Sequence, residues 1–168
     1  MIYYIIWILA IIYIWFIVFI YLLSTKIDKL EQNILAIFNR KNNQIPSIYE
    51  VTKDYLMKHN DIFHELIILK KQDFAENNFY SKLAEKTNTY KRIHNELNFV
   101  FKVCNKHQKI NKNHKYLYIR ETIIEISAEL WNKLELYKVI TKKFNNLILL
   151  KNITIIWLLF PVDKKNSL

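Results

Sequence analysis

The sequence predicts an all-α protein: an N-terminal transmembrane helix followed by an antiparallel up-down four-helix bundle. Three observations predict it. Ile2 to Leu23 is an unbroken run of 22 apolar residues. After Ser24 the apolar residues recur at the 3.6-residue period of amphipathic helices. The 168 residues include no glycine and only two prolines, too little turn chemistry for a many-stranded β fold.

The first element is the apolar run. As a helix it is about 33 Å long, enough to cross a hydrocarbon core of about 30 Å. A cleaved signal peptide would carry a basic residue before the run, a shorter apolar core and a small-x-small cleavage site, and all three are missing. The expectation is therefore a retained anchor over residues 1–23, with Tyr3, Tyr4, Trp7 and Tyr21 toward its ends, where amphipathic rings favour the headgroup level. No basic residue precedes the run, whereas Lys26, Lys29, Arg40 and Lys41 follow it. The positive-inside rule then puts the amino end outside the cell membrane and the bundle in the cytoplasm.

Outside the run the apolar share falls to about 44%, an ordinary globular value. The bundle is expected over residues 24–160, with a basic tail at 161–168. Its first helix, 24–43, carries the stripe Ile27, Leu30, Ile34 and Ile37. Pro46 is expected to end that helix, and Ser47 to Glu50 reads as a capping box for a second helix running to about Lys71. Its stripe is Ile48, Val51, Tyr55, Ile62, Leu66 and Leu69. The third helix starts somewhere between Asp73 and Ser81 and carries Leu83, Tyr90, Ile93, Leu97, Val100 and Cys104. Asn111 or Asn113 caps the fourth, whose stripe runs from Tyr116 through Ile123, Leu130 and Tyr137 to Phe144.

Composition also excludes chemistries. One cysteine, Cys104, rules out a disulfide scaffold and any cysteine-based zinc or iron–sulfur site. Without glycine there is no phosphate-cradling loop, dinucleotide fingerprint or nucleophile elbow. A di-iron centre in a bundle needs two Glu-x-x-His pairs, and only Asp61 and His64 have that spacing. These two read as neighbours on a solvated face, and Cys104, on an apolar stripe, as a buried small hydrophobe. No catalytic, cofactor-binding or metal residues are assigned, and no enzymatic activity is expected.

The charge is more informative. The net +10 lies entirely outside the apolar run. No acidic residue falls between Glu96 and Glu121, while Lys102, Lys106, Lys109, Lys112, Lys115 and Arg120 do. This basic hairpin tip is a candidate electrostatic footprint for nucleic acid or an acidic partner. A solvated tip in a lysine-rich chain explains it equally and is preferred. Lysines outnumber arginines 22 to 3, and the turn lacks interleaved aromatics, so nucleic acid is disfavoured as a partner. The last helix ends in a second apolar stretch, Leu147 to Phe160, interrupted by Lys151 and Asn152. It is too short and polar to span, and suits an interfacial seat through Leu150, Trp157, Leu158 and Phe160. Folding back over the base of the bundle is the alternative.

Phe38 to Ile48, with Lys53 and Tyr55 following, resembles the signature of the LemA family, whose members carry an Arg-Arg pair, then Leu-Ile-Pro-Asn-Leu, then Lys-Gly-Tyr. Ile110 to Asn113, leading into Tyr116, is similar to that family's Leu-Lys-Ala-Asn stretch, and Tyr137, Phe144 and Asn145 fall where it repeats Tyr-Asn. Asp54 stands where glycine is usual, and Lys138 replaces the Asn after the first tyrosine. The resemblance implies a bacterial single-pass membrane protein with a helical bundle and no established activity. The expected function is a non-catalytic scaffold or adaptor at the membrane surface. Lipid, an unidentified protein and a second copy of the chain are its candidate partners.

Overall fold

The computed structural model describes residues 2–56, 61, 64, 66, 68, 83–153 and 165, and among these there is helix and turn but no strand. Four α-helices are defined: α1 (Ile2–Asn42), the short α2 (Ile45–Thr52), α3 (Leu83–Cys104) and α4 (His114–Ile153). Asp61, His64, Leu66 and Ile68 are helical as well. The stripe positions Ile62 and Leu69, and the candidate starts Asp73 and Ser81, lie outside the described residues.

The apolar run and the first bundle helix are one element, since α1 continues through Ser24 without a break. Neither residue at the junction interrupts the ladder, and Thr25 turns its hydroxyl back to the Tyr21 carbonyl at 3.0 Å. α1 is the one described helix long and apolar enough to cross a membrane, and its best 18-residue window has a mean hydropathy of 2.8.

Two local expectations are corrected. Pro46 does not end α1 but sits in the first turn of α2, where its missing N–H would be unpaired anyway. Gln44 is the N-cap there and makes no side-chain cap, so Ser47 and Glu50 lie inside the helix and not at its start. The second helix also stops early. Thr52, fully buried, bonds its hydroxyl to the Ile48 carbonyl at 2.7 Å, and the chain tightens into a 3-10 turn over Lys53–Tyr55.

The chain forms two compact units. One joins Met1–Asn33 to Leu134–Ser167, and the other holds Ile34–Lys133. In the first, Ile27, Leu30, Leu134, Tyr137, Ile140 and Phe144 are buried, while the residues from Tyr3 to Trp7 are exposed. In the second, the buried residues include Ile34, Phe38, Ile48, Ile93, Leu97 and Ile123, with the Phe38 and Tyr90 rings 3.6 Å apart. The stripes expected in α1, in α3 from Tyr90 onward and in α4 are all buried. Such continuous apolar faces supply most of the stability of helical packing.

Of the two candidate caps for α4, Asn113 takes the role. Its Oδ1 accepts from the N–H groups of Lys115 and Tyr116 at 3.0 and 3.2 Å. Asn111 instead donates to the Asn105 carbonyl at 2.9 Å and braces the preceding turn. Asn113→Ala is expected to lower stability by about 1 kcal/mol, read as a drop in thermal midpoint by circular dichroism. Asn111→Ala should leave α4 starting at the same residue.

Candidate functional site

Three polar groupings stand out in the helical packing. In the first unit, Glu31 lies on the apolar face of α1, one turn after Ile27, and is 3% exposed. The Tyr137 hydroxyl donates to its Oε1 at 2.7 Å, while Oε2 is buried without a hydrogen-bond partner. Burial raises the Glu31 carboxyl above its usual range, against the Tyr137 hydrogen bond and the Lys165 charge, which pull it down. Asp28, one turn earlier, accepts from the Lys165 ammonium at 2.8 Å. Asn145 on α4 grips the main chain of the same residue with both ends of its amide. It donates to the Lys165 carbonyl at 2.7 Å and accepts from its N–H at 3.0 Å.

The second unit holds a buried lysine. Lys41 continues the α1 stripe at the spacing set by Ile34 and Ile37, so it faces inward and is 2% exposed. Its ammonium meets Nδ1 of His94 at 3.5 Å, and no carboxylate pairs with it among the described residues. Burial pulls the amine down to about 8. Burial also lowers His94, and the Lys41 charge adds to the effect. The far nitrogen of the ring lies 3.0 Å from the Asn98 amide, and Trp131 packs edge-on to it at 6.2 Å. It is the Asn98 amide nitrogen that faces Nε2, so Nε2 accepts from it when the ring proton is on Nδ1. Next along α1, Arg40 points outward and pairs with Glu129 of α4.

The third grouping is the basic tip, also in the second unit. Lys102, Lys106, Lys109, Lys112 and Lys115 are all exposed, and Arg120 is half-buried. None of the six takes part in an ion pair among the described residues. The tip is braced from within by Ile110, fully buried in the 3-10 turn Ile110–Lys112, and from the side by Tyr55, whose ring lies 5.9 Å from that of His107. Lys106, Lys109 and Lys112 lie in the connection between α3 and α4, while Lys102 is in α3 and Lys115 and Arg120 are in α4.

No protein-family model, no curated protein and no solved structure matches the chain.

The remaining sequence-derived candidates sort as follows. Cys104 is buried, and burial pushes its thiol up to about 11, which suits packing and not nucleophilic attack. Asp61 and His64 are exposed, and no three His, Cys, Asp or Glu side chains cluster as metal ligands among the described residues. Of the interfacial candidates, Leu150 is part of α4, while Trp157, Leu158 and Phe160 lie outside the described residues. Glu31, Lys41 and His94 are not among the residues that sequence reasoning singles out. The signal for the first two is present in the sequence, since each is a charged residue at an apolar-stripe position.

Proposed function

We propose that the chain is a membrane-anchored protein of the LemA type whose helical domain acts by binding, as a non-catalytic scaffold or adaptor. One observation carries this reading. α1 exposes aromatic and aliphatic side chains around most of its circumference from Tyr3 to Leu22, then continues without a break into a helix with a buried stripe. An apolar surface of that extent needs a lipid or protein cover. On this reading residues 1–23 are retained as a single span, and the helical residues Asp61, His64, Leu66 and Ile68 belong to one member of a four-helix bundle.

The basic residues near the span support a cytoplasmic bundle. Lys26 and Lys29 are exposed just beyond it, and none precede it. Lys41 is buried and weighs less in that count. The non-catalytic reading is supported by where Glu31, Lys41 and His94 lie. Glu31 and Lys41 are closed inside the packing, and the half-buried His94 lies against Lys41. LemA membership rests on the residue patterns at 38–55 and 110–116, on Tyr137, Phe144 and Asn145, and on the order of parts.

A second reading is favoured by the five exposed, unpaired lysines of the tip: an acidic partner docks there. In-cell crosslinking of the full-length protein tests both. The scaffold reading expects the protein to stay with membranes after a carbonate wash and to crosslink to a discrete partner. Release by the wash overturns it. The tip reading expects those crosslinks to disappear when Lys106, Lys109 and Lys112 are changed to Glu. If retention on RNA or DNA instead falls steeply with salt, the partner is nucleic acid.

A further inference from the structure

The first unit gives the relative level of α1 and α4. Tyr137 meets Glu31, and Leu147 lies further along α4. Leu147 shares an apolar groove with Ile11, Ile12, Trp15, Phe16 and Phe19 of α1. Rising numbers on α4 therefore match falling numbers on α1, and the two helices are antiparallel. Leu147 stands beside residues four to twelve positions inside Leu23, the last of the apolar run. At 1.5 Å per residue that is about 6 to 18 Å into the run. Ile153, the end of α4, is six residues further on, about 9 Å deeper still.

Charge marks the same level independently. Lys26 and Lys29 on α1, and Lys138, Lys142 and Lys143 on α4, are all exposed. In the antiparallel register these form one belt around the unit, at the height where anionic headgroups attract lysine. Beyond the belt α1 is wholly apolar, and α4 is apolar at Leu147 to Leu150, between Asn145-Asn146 and Lys151-Asn152. From Phe144 to Val162 the sequence has one charged residue, Lys151. Leu149, 46% exposed, points away from the packing at a height where α1 has no charged residue.

The chain then comes back. Lys165 is held at the belt, its main chain on Asn145 and its ammonium on Asp28. From Asn145 to Ile153 is eight residues of helix, about 12 Å. The eleven residues joining Ile153 to Lys165 reach about 36 Å when extended, ample for that return.

We propose that the last turns of α4, Leu147 to Ile153, are embedded in bilayer hydrocarbon beside α1, and that the chain re-emerges at Lys165 on the side from which it entered. The partner of this surface is the lipid acyl chain, and the element is re-entrant, neither a second span nor an interfacial seat. The inference rests on the reading of α1 as a span.

Depth measurement on the full chain tests it, in vesicles of phosphatidylcholine with phosphatidylglycerol. Nitroxide labels are placed singly at Leu149→Cys, Ile12→Cys and Tyr118→Cys, in a Cys104→Ala background whose helicity is checked first. The expected result is loss of collisions with a water-soluble nickel chelate at positions 149 and 12, and their retention at 118. Water-like accessibility at 149 with lipid-like accessibility at 12 overturns the re-entrant element and leaves the anchor standing. Water-like accessibility at both overturns the anchor with it. Compartment-specific reporters at Leu168 and in the turn at His107 supply a second readout with Cys104 intact. They are expected to report the same side, and opposite sides would make α4 the start of a second crossing and sink the proposal.

Discussion

Replacing Lys41 with methionine is expected to raise the stability of the folded protein at pH 7 by up to about 3 kcal/mol. The amine is held near 8 in the folded chain against an ordinary 10.5, and each pH unit of that displacement corresponds to about 1.4 kcal/mol. The sign follows from linkage. A group with a depressed folded value adds stability above its unfolded value and loses it as the pH falls through the folded one. The native protein should therefore gain stability between pH 8 and 10.5, and Lys41→Met should remove that slope. Methionine keeps nearly the length and volume of the stem, so no cavity opens to cancel the gain. Denaturant unfolding in detergent at pH 7 and pH 10 reads both effects. An unchanged slope in the variant would mean that the ammonium is solvated.

Tyr137→Phe should act in the opposite direction. It removes the hydroxyl that satisfies Glu31 Oε1 and leaves a buried carboxylate with neither oxygen bonded. Removing a hydrogen bond to a buried charged group costs about 1.5–3 kcal/mol. Because burial already raises the Glu31 carboxyl, that loss should shrink as the pH is lowered and the group takes up a proton. The companion variant Glu31→Met should be near neutral, and the double variant should recover most of what Tyr137→Phe loses. A double variant as unstable as the single one would show that the tyrosine ring, and not its hydroxyl, is what matters.

These two residues mark the boundary of what the sequence discloses. The stripes of α1 and α4 are periodic, and periodicity is a local property, so Ile27 to Ile37 and Tyr116 to Phe144 are legible as faces from their spacing alone. The cap at Asn113 is legible for the same reason. The polar pairs are not. Glu31 with Tyr137, Lys41 with His94 and Arg40 with Glu129 are separated by 106, 53 and 89 residues. Which helix faces which is set by packing and leaves no trace in spacing. The early stop of α2 is equally hidden, because Val51-Thr52 differs little in helix propensity from its neighbours and the decisive bond is the threonine's own hydroxyl. The basic tip is visible as composition, but the ring pair of Tyr55 and His107 that braces it is not.

The absence of glycine has a consequence for how such a chain can vary. Among the described residues no backbone position has a positive φ. The junctions are built from right-handed and extended conformations, such as Gln44 at φ −83° and Asn113 at φ −82°. Any L-amino acid can occupy conformations of that kind. The connections are therefore sterically open to substitution, and no invariant turn residue need persist as lineages diverge. What this backbone asks of its sequence is asked by the inward faces, where isoleucine and leucine fill the packing, and not by its described bends.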